Sequence, residues 1–461
     1  MTNDRRPDVS IIIPTRARPA SLLRALGALE RQDFAAARLE VVVVDDGEGE
    51  ALRGLGHGQP RPYSVRALPN QGRGAAAARN TGARSALSPL LVFLDDDIEA
   101  APGLVSAHVR AHRAGATVTI GYLPARPTGA GRFFAFTLRN WWEEMFAAMR
   151  RPGHRYSFRD LLTGNCAVGA ELFERAGGFD QALACHEDYE LGVRLVEAGA
   201  RLAFVEDAEG VHHEMTTVER SLERKRAEGR ADVQIVRKHP ALVARLPLAA
   251  PRPRRQRALR RLVFQHPVAA RSLLRALRSS LDLFEAARMR GRWGVRLHEM
   301  LDLAYWQGVA SEVQTLEGFD ALVQDACVSP LQAGWWLRAD LEEGIEAVAA
   351  RVDAVRPDGV ALTYGGERVG AIPPSPASER LRGVHVESAL AHDLARPLLL
   401  ALARRGAVGV EERGGRLLPT APLPREPFPM RRSWRTSPCS APCATGAGRP
   451  LSGCTGTASS P

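Results

Sequence analysis

The sequence predicts an α/β fold: a mostly parallel central sheet flanked by helices, followed by a mainly helical region and a small C-terminal module. Three observations carry this. Short Val-, Ile- and Leu-rich runs at residues 9–13, 39–44 and 90–94 look like strands buried on both faces. Helical patterns lie between them. Each run also stops in polar residues, which puts Thr15, Asp45 and Asp95 at strand ends. Alternating strand and helix is the pattern of a parallel sheet, whose ligands gather at the carboxyl ends of its strands.

The first helix follows the first strand: Ser21 can cap it, and Leu22, Leu23, Leu26 and Leu29 recur at helical spacing. A second helix pattern fills residues 74–87 and leads into the strand Leu90-Leu91-Val92-Phe93-Leu94. Residues 121–160 change character, with Phe133, Phe134, Phe136, Trp141, Trp142 and Phe146 crowded together, and residues 161–206 return to α/β patterning. Residues 233–346 read as mainly helical, entered through the linker Pro251-Arg252-Pro253-Arg254-Arg255. The expected domains are therefore residues 1–235, an Arg-rich helical region at 236–350, a small α/β module at 351–418 and a tail at 419–461. In that tail Pro, Ser, Gly and Thr displace any periodicity, which predicts disorder.

With 461 residues the chain is long enough for two or three cores, and 45% hydrophobic with 25% charged residues places it among globular proteins. The net charge of +10 is local. Residues 251–300 hold thirteen Arg against three acidic residues, and the rest of the chain balances at 49 against 49. A surplus confined to one segment points to a local anionic partner such as lipid headgroups, and argues against a nucleic-acid binder that is basic throughout. On one helical pattern Arg271, Arg275 and Arg278 form a cationic stripe, while Leu273, Leu274, Leu277, Leu281 and Phe284 form an apolar one. That combination suits either peripheral contact with an anionic membrane or an ordinary helix packed on its neighbours. Six scattered Cys make no disulfide framework, and Cys439, Cys443 and Cys454 have neither His partners nor ligand spacing for zinc. No apolar leader and no apolar run of membrane-spanning length is evident, which makes the expected location cytoplasmic.

The chemistry concentrates at Asp95-Asp96-Asp97, directly after the third strand. Adjacent carboxylates repel, and a hard divalent cation with oxygen ligands is the simplest agent that makes such a cluster favourable. A solvated acidic turn is the alternative. A second acidic strand end, Asp45-Asp46-Gly47, and a polar first one, Pro14-Thr15, fall on the same expected edge, although Asp45 alone suits a turn and Pro14 a strand terminator.

Taken in order, Ile12-Ile13-Pro14-Thr15, Val44-Asp45-Asp46-Gly47, residues 73–82, Leu94 to Ile98, Thr163-Gly164-Asn165, Gly177-Gly178-Phe179-Asp180, Glu187-Asp188 and His212 make the sequence similar to family 2 glycosyltransferases with the GT-A fold. The resemblance spans residues 9–213. It implies that Pro14, Thr15 and Asp45 line the nucleotide pocket, that Arg73 lies near the base or phosphates, and that Asp95 lies near the ribose. It implies that Asp97, with His212 or the adjacent His213, binds a divalent ion, Mn2+ or Mg2+, and that Gly164 and Asn165 approach the donor sugar. Asp188 is implied to be the general base, against the plainer reading of Glu187-Asp188 as helix-start acids. The implied activity is inverting transfer of a sugar from a nucleoside-diphosphate donor, UDP by family habit, to a carbohydrate, lipid-linked or small-molecule acceptor. A nucleotidyltransferase and a non-catalytic binder of nucleotide or anionic polymer stay open as alternatives. The first would carry a Gly-rich loop after its first strand, where this chain has Pro14-Thr15-Arg16-Ala17-Arg18-Pro19.

Overall fold

Four consecutive valines have no polar face to offer water, so a strand that contains them must lie inside a sheet covered on both sides. The computed structural model, which describes residues 6–49, 53, 60–128, 131–250, 253–328, 334–408, 410–413 and 416–419, places them there. Strand β1 (Val9–Thr15) and strand β2 (Leu39–Asp45) pair in parallel with Thr15 level with Asp45, and Ile11, Ile12, Ile13 and Val41 to Val44 are wholly buried. Strand β3 (Ser64–Pro69) extends the parallel set beside β2, and strand β4 (Leu90–Leu94) flanks β1 on its other side. Helix α1 (Pro19–Leu29) begins two residues before Ser21, with Arg18 as its N-cap, because a proline with its fixed φ and missing N–H suits the first helical turn. Helix α2 (Gly74–Ser85) fills the second interval.

Beyond β4 the sheet reverses. Strand β5 (Ile98–Ala100), strand β6 (Val118–Tyr122), strand β7 (Asn165–Gly169) and strand β8 (Leu202–His212) complete an eight-stranded order of β3-β2-β1-β4-β7-β6-β8-β5. Four of its contacts are parallel, and three, β4 with β7, β6 with β7 and β5 with β8, are antiparallel. Two registers set the neighbours of the acidic cluster. Leu94 faces Asn165, so the residues after β4 run beside Gly164, and Ile98 faces His212, so the chain leaving Asp97 is bound to the far end of β8.

The aromatic stretch forms one helix, α3 being Leu104–Arg113 and α4 being Arg132–Met149. Phe134 and Phe146 of α4 are buried, Phe133, Trp141 and Trp142 are half-buried against the cores, and Phe136 is exposed. Helix α5 (Ala170–Arg175) and helix α6 (Glu187–Glu197) finish the α/β part. Five helices come next: α7 (Val218–Lys238), α8 (Arg254–Gln265), α9 (Pro267–Ala286), α10 (Arg290–Val313) and α11 (Leu316–Val328). They share a core around Val233, Trp293, Leu297, Met300 and Trp306. Arg254 and Arg255 thus belong to a helix rather than to a linker, with Pro253 as its N-cap. Leu274, Leu277 and Leu281 of α9 are buried in the same core, so its apolar stripe is occupied by protein.

Strand β9 (Trp336–Asp340) lies inside the stretch expected to be helical. It is too short to show a period, yet it pairs in parallel with strand β10 (Gly359–Tyr364), which pairs antiparallel with strand β11 (Glu367–Ile372). Helix α12 (Ile345–Val355) and helix α13 (Gly383–Ala391) close this small module over Val348, Val352, Val360, Leu362 and Val386. From Leu402 the chain is a separate unit, in which Val410–Arg413 and Arg416–Pro419 pair antiparallel. Residues 420–461, where disorder is expected and where Cys439, Cys443 and Cys454 fall, lie outside the described residues. No helix among the described residues is long and apolar enough to cross a membrane.

Candidate functional site

Three strands bring their carboxyl ends to one edge, and the side chains there are wired together. The Thr15 hydroxyl donates to Asp96 Oδ2 at 2.7 Å, which ties the end of β1 to the turn after β4. Arg18 Nη1 bridges Asp96 Oδ1 at 3.1 Å and Asp97 Oδ2 at 2.9 Å. At the end of β2 Asp45 Oδ1 accepts from the Gly47 amide at 2.8 Å and closes the turn. The Asp46 carboxylate accepts from Asn70 Nδ2 and from the Gly74 amide, and so fixes the loop that enters α2. Arg73 is the N-cap of α2, exposed on that loop, and Pro14 is half-buried next to Thr15.

Asp95 and Asp97 face different partners. The Asp95 amide donates to Gly164 O at 3.1 Å, and a methyl group on Gly164 would stand 3.2 Å from Asp95 Oδ2. A side chain at 164 would therefore crowd the carboxylate. Asp97 meets the end of β8: its carbonyl accepts from the His213 amide at 3.0 Å, and His212 Nε2 stands 3.7 Å from Asp97 Oδ1. The imidazole of His212 is held edge-on to Trp142 at 5.0 Å, and its Nδ1 is buried with no hydrogen-bond partner, 3.8 Å from Glu214 Oε2. His213 is used elsewhere, with Nε2 2.9 Å from Glu99 Oε2. Of the two histidines, His212 is the one that faces Asp97.

The electrostatics of the edge follow from burial. Asp96 is 4% exposed, and burial pushes its carboxyl up to about 6 against the opposing pull of Thr15 and Arg18. Burial, then the neighbouring Asp95, also raises Asp97, with His212 and Arg18 working against them. Burial opposes ionisation of Glu214 too, yet His212, Thr216 and Trp142 hold its carboxyl below the ordinary range. A divalent ion fits this donor set: a carboxylate and an imidazole converge, and the other nitrogen of that ring is buried without a hydrogen-bond partner. The described residues hold no ready-made group of three or more His, Cys, Asp or Glu, so remaining ligands would come from a bound molecule and solvent.

The second acidic pair is joined to the first by one arginine. Arg79, on α2, donates from Nη2 to Asp95 Oδ1 at 2.7 Å and from Nη1 to Glu187 Oε1 at 2.9 Å. Its side chain is 6% exposed. Burial works against that charge, and Asp95 with Glu187 outweighs it, so the guanidinium stays ionised. Replacing it leaves two carboxylates short of their counter-charge. Arg79→Met is expected to destabilise the fold by about 3 kcal/mol, at the lower end for a buried pair because the Asp95 side chain is 35% exposed. Denaturant unfolding checks this, and a change within about 0.5 kcal/mol, as for an ordinary surface site, contradicts it.

Asp188 lies in the first turn of α6, its Oδ1 accepting from the Tyr189 amide. The approach to that helix is built by Gly177 and Gly178, at φ +82° and +68°, a region that suits glycine. Asn80 of α2 clasps the next residue, donating to Phe179 O and accepting from the Phe179 amide, both at 2.8 Å.

Asn165 stands apart. It is wholly buried on β7, its Nδ2 donating to Ala208 O at 2.8 Å and its Oδ1 lying 3.0 Å from His108 Nε2. Burial pushes His108 down to about 4, so the neutral ring donates to that oxygen. These partners belong to the fold interior. Conversely, the Arg18-to-Asp96 contact and the Asp95-to-Glu187 bridge are not legible in the sequence, because contacts between residues 78 or 108 positions apart leave no local trace.

Residues 10–176 match the model of the family described as glycosyl transferase family 2. The chain is 31% identical over 281 residues to a validoxylamine A glucosyltransferase of Streptomyces hygroscopicus subsp. jinggangensis, covering 52% of this chain and 63% of that protein. It is 27% identical over 216 residues to the glycosyltransferase AglE of Haloferax volcanii, covering 45% and 67%. The chain thus spans about three fifths of the length of the first of these relatives. Among solved structures, a mannosyltransferase PcManGT from Pyrobaculum calidifontis, in complex with GDP-Man and Mn2+, superposes with a TM-score of 0.41 at 20% identity, over 66% of this chain and 88% of that one. That score is too low to carry the comparison further.

Proposed function

We propose that this chain, which carries a family 2 glycosyltransferase domain at its N-terminal end, transfers a sugar from a nucleoside-diphosphate donor to an acceptor hydroxyl with inversion. The observation that carries the reading is Arg79, which holds Asp95 and Glu187 at once and so gathers the strand-end carboxylates and the start of α6 into one site. Residues 1–235 supply this centre. Pro14, Thr15, Asp45 and Arg73 line the nucleotide side, Asp95 and Gly164 flank the ribose and sugar, and UDP is the nucleotide favoured.

The chain's own groups account for the proton and the position. Asp188 takes the acceptor's proton as the acceptor oxygen bonds to the anomeric carbon and the bond from that carbon to the diphosphate breaks on the opposite face. Asp97 and His212 would hold a Mn2+ or Mg2+ ion, which supplies charge neutralisation at the diphosphate. Glu214 and Trp142 orient the His212 ring from behind. Thr15 and Arg18 fix Asp96, and with it the turn that aims Asp95 and Asp97.

Activity should depend on pH. Burial and Glu187 raise the Asp188 carboxyl to about 6, against His186, Arg224 and Arg79. A base must be ionised, so the rate is full above that value and falls as pH drops through it. Nucleotide-sugar turnover measured from pH 5 to 8 tests this, and a rate that rises on acidification contradicts Asp188 as the base.

The Arg-rich segment gives a further element of the reading. Arg254, Arg257 and Arg261 lie exposed along one face of α8 and form no ion pair among the described residues, and Arg271 and Arg275 are exposed on α9. With the apolar stripe of α9 buried, attachment to an anionic membrane rests on these charges alone, at about 1 kcal/mol per residue near the surface. The expected result is co-sedimentation with anionic vesicles at low salt, lost at high salt and in the R254E/R257E/R261E variant. Equal binding to neutral vesicles contradicts it.

A further inference from the structure

The residue before the helix of the proposed base has an unusual backbone. His186, the N-cap of α6, takes φ +57° and ψ +22°, the left-handed region that disfavours a side chain. No side-chain cap bond repays this. A conformation of this kind persists only where its surroundings over-determine it. Here those surroundings come from the helical region. His186 Nδ1 lies 2.8 Å from Asp232 Oδ1 on α7, and Tyr305 Oη of α10 donates to Asp232 Oδ2 at 2.6 Å. Asp232 is wholly buried, and the His186 ring stacks on Tyr189 at 4.3 Å.

We propose that Asp232 and Tyr305, two residues on the helices that follow the α/β part, are positioning residues for the transfer reaction: through His186 they fix the turn from which Asp188 is presented. The proposal rests on the reading of Asp188 as the base. The two helices are set against each other closely enough to hold this chain of contacts, since a methyl on Gly229 of α7 would stand 2.2 Å from Tyr305 O. The helical region is thus part of the catalytic apparatus, joined to it by one buried carboxylate.

The same contacts set a charge. Glu228 and Asp232 face the His186 ring from α7, Tyr305 backs Asp232 from α10, and Asp188 and Tyr189 face it from its own helix. Burial lowers the imidazole's basicity, but Asp232, Glu228 and Asp188 outweigh it and raise the group. A protonated His186 favours the ionised form of Asp188, as does Arg224 of α7. Removing the Asp232 charge therefore weakens the anchor and takes away the largest influence that keeps His186 cationic.

The test uses the full chain with Asp232→Asn, Tyr305→Phe, His186→Gly and Asp188→Asn, each characterised by kcat, KM, pH profile, thermal unfolding and calorimetry of nucleotide-sugar binding. Asp232→Asn is expected to lower kcat about 10- to 100-fold, to move the acid limb of the kcat profile up by about one pH unit, and to leave donor binding unchanged. Tyr305→Phe removes one hydrogen bond and no charge, and is expected to lower kcat by less without moving the limb. His186→Gly tolerates the left-handed backbone but lacks the imidazole, and is expected to move the limb as Asp232→Asn does. Combined with Asp188→Asn, Asp232→Asn is expected to cost little more. If Asp188→Asn is inactive while folded Asp232→Asn and His186→Gly keep the wild-type kcat and acid limb, the positioning role is overturned and the base stands. If Asp188→Asn is fully active, the base assignment falls and the positioning role with it. Should Asp232→Asn fail to fold, His186→Gly decides between the same outcomes.

Discussion

Asp97→Ala is expected to abolish transfer and the metal-dependent part of donor binding while the protein remains folded. The fold is spared because the hydrogen bond that ties Asp97 to the end of β8 is made by its backbone carbonyl, which accepts from the His213 amide and which alanine retains. What disappears is the carboxylate facing His212 at 3.7 Å, and with it half of the protein's donor set for a hard cation. Arg18, which shares its charge between Asp96 and Asp97, keeps Asp96 and so keeps the turn. Circular dichroism and calorimetry of nucleotide-sugar binding with and without Mn2+ check the two halves. A folded variant that transfers at the wild-type rate removes Asp97 from the metal role.

Asp188→Asn is expected to lower the rate of transfer by at least about 10²-fold with donor binding preserved, a loss of about 2.7 kcal/mol of transition-state stabilisation. The amide keeps the shape and still offers an oxygen to the Tyr189 amide, as Asp188 Oδ1 does at 2.9 Å, so the first turn of α6 has no cause to unravel. It cannot accept the acceptor's proton. Single-turnover kinetics beside calorimetry separate the effects, and an equal loss of binding and rate would make Asp188 a donor-positioning or folding residue.

The parts of the fold legible in the sequence are those whose residues are constrained on both faces. Strands β1, β2 and β4 carry the apolar runs at residues 11–13, 41–44 and 90–94 because no side of them meets water. Strand β8 is hidden in the sequence because its exposed Glu206, Asp207 and Glu209 break any such run, and β5, with three residues, is too short to show a period. The same division runs through the site. Asp45, Asp95, Asp97 and His212 are legible from strand ends and motif order, and the choice of His212 over His213 needs the register that sets Ile98 against His212. Arg18 carries no local signature, and Arg79, which lies in the matched stretch 73–82 and suits a phosphate contact or an ion pair, gives no sign there of which carboxylates it holds, since a pairing partner far along the chain is indistinguishable in sequence from solvent. The rings of α4 suit a sugar platform and a core equally until their neighbours are known: Phe134 and Phe146 are interior, whereas Trp142 backs the His212 imidazole. Asn165 illustrates the reverse case, a motif position whose side chain is taken by His108 and Ala208 in the fold interior.

The most direct test of the sugar-transfer assignment is release of nucleoside diphosphate by the full chain from a panel of UDP-, GDP- and TDP-sugars, offered with Mn2+ or Mg2+ and a set of hydroxyl acceptors. Release from at least one donor is expected, dependent on the divalent ion and abolished by a chelator and by Asp97→Ala. Release of pyrophosphate in place of nucleoside diphosphate, or no turnover of any donor by folded protein with either ion, would contradict it.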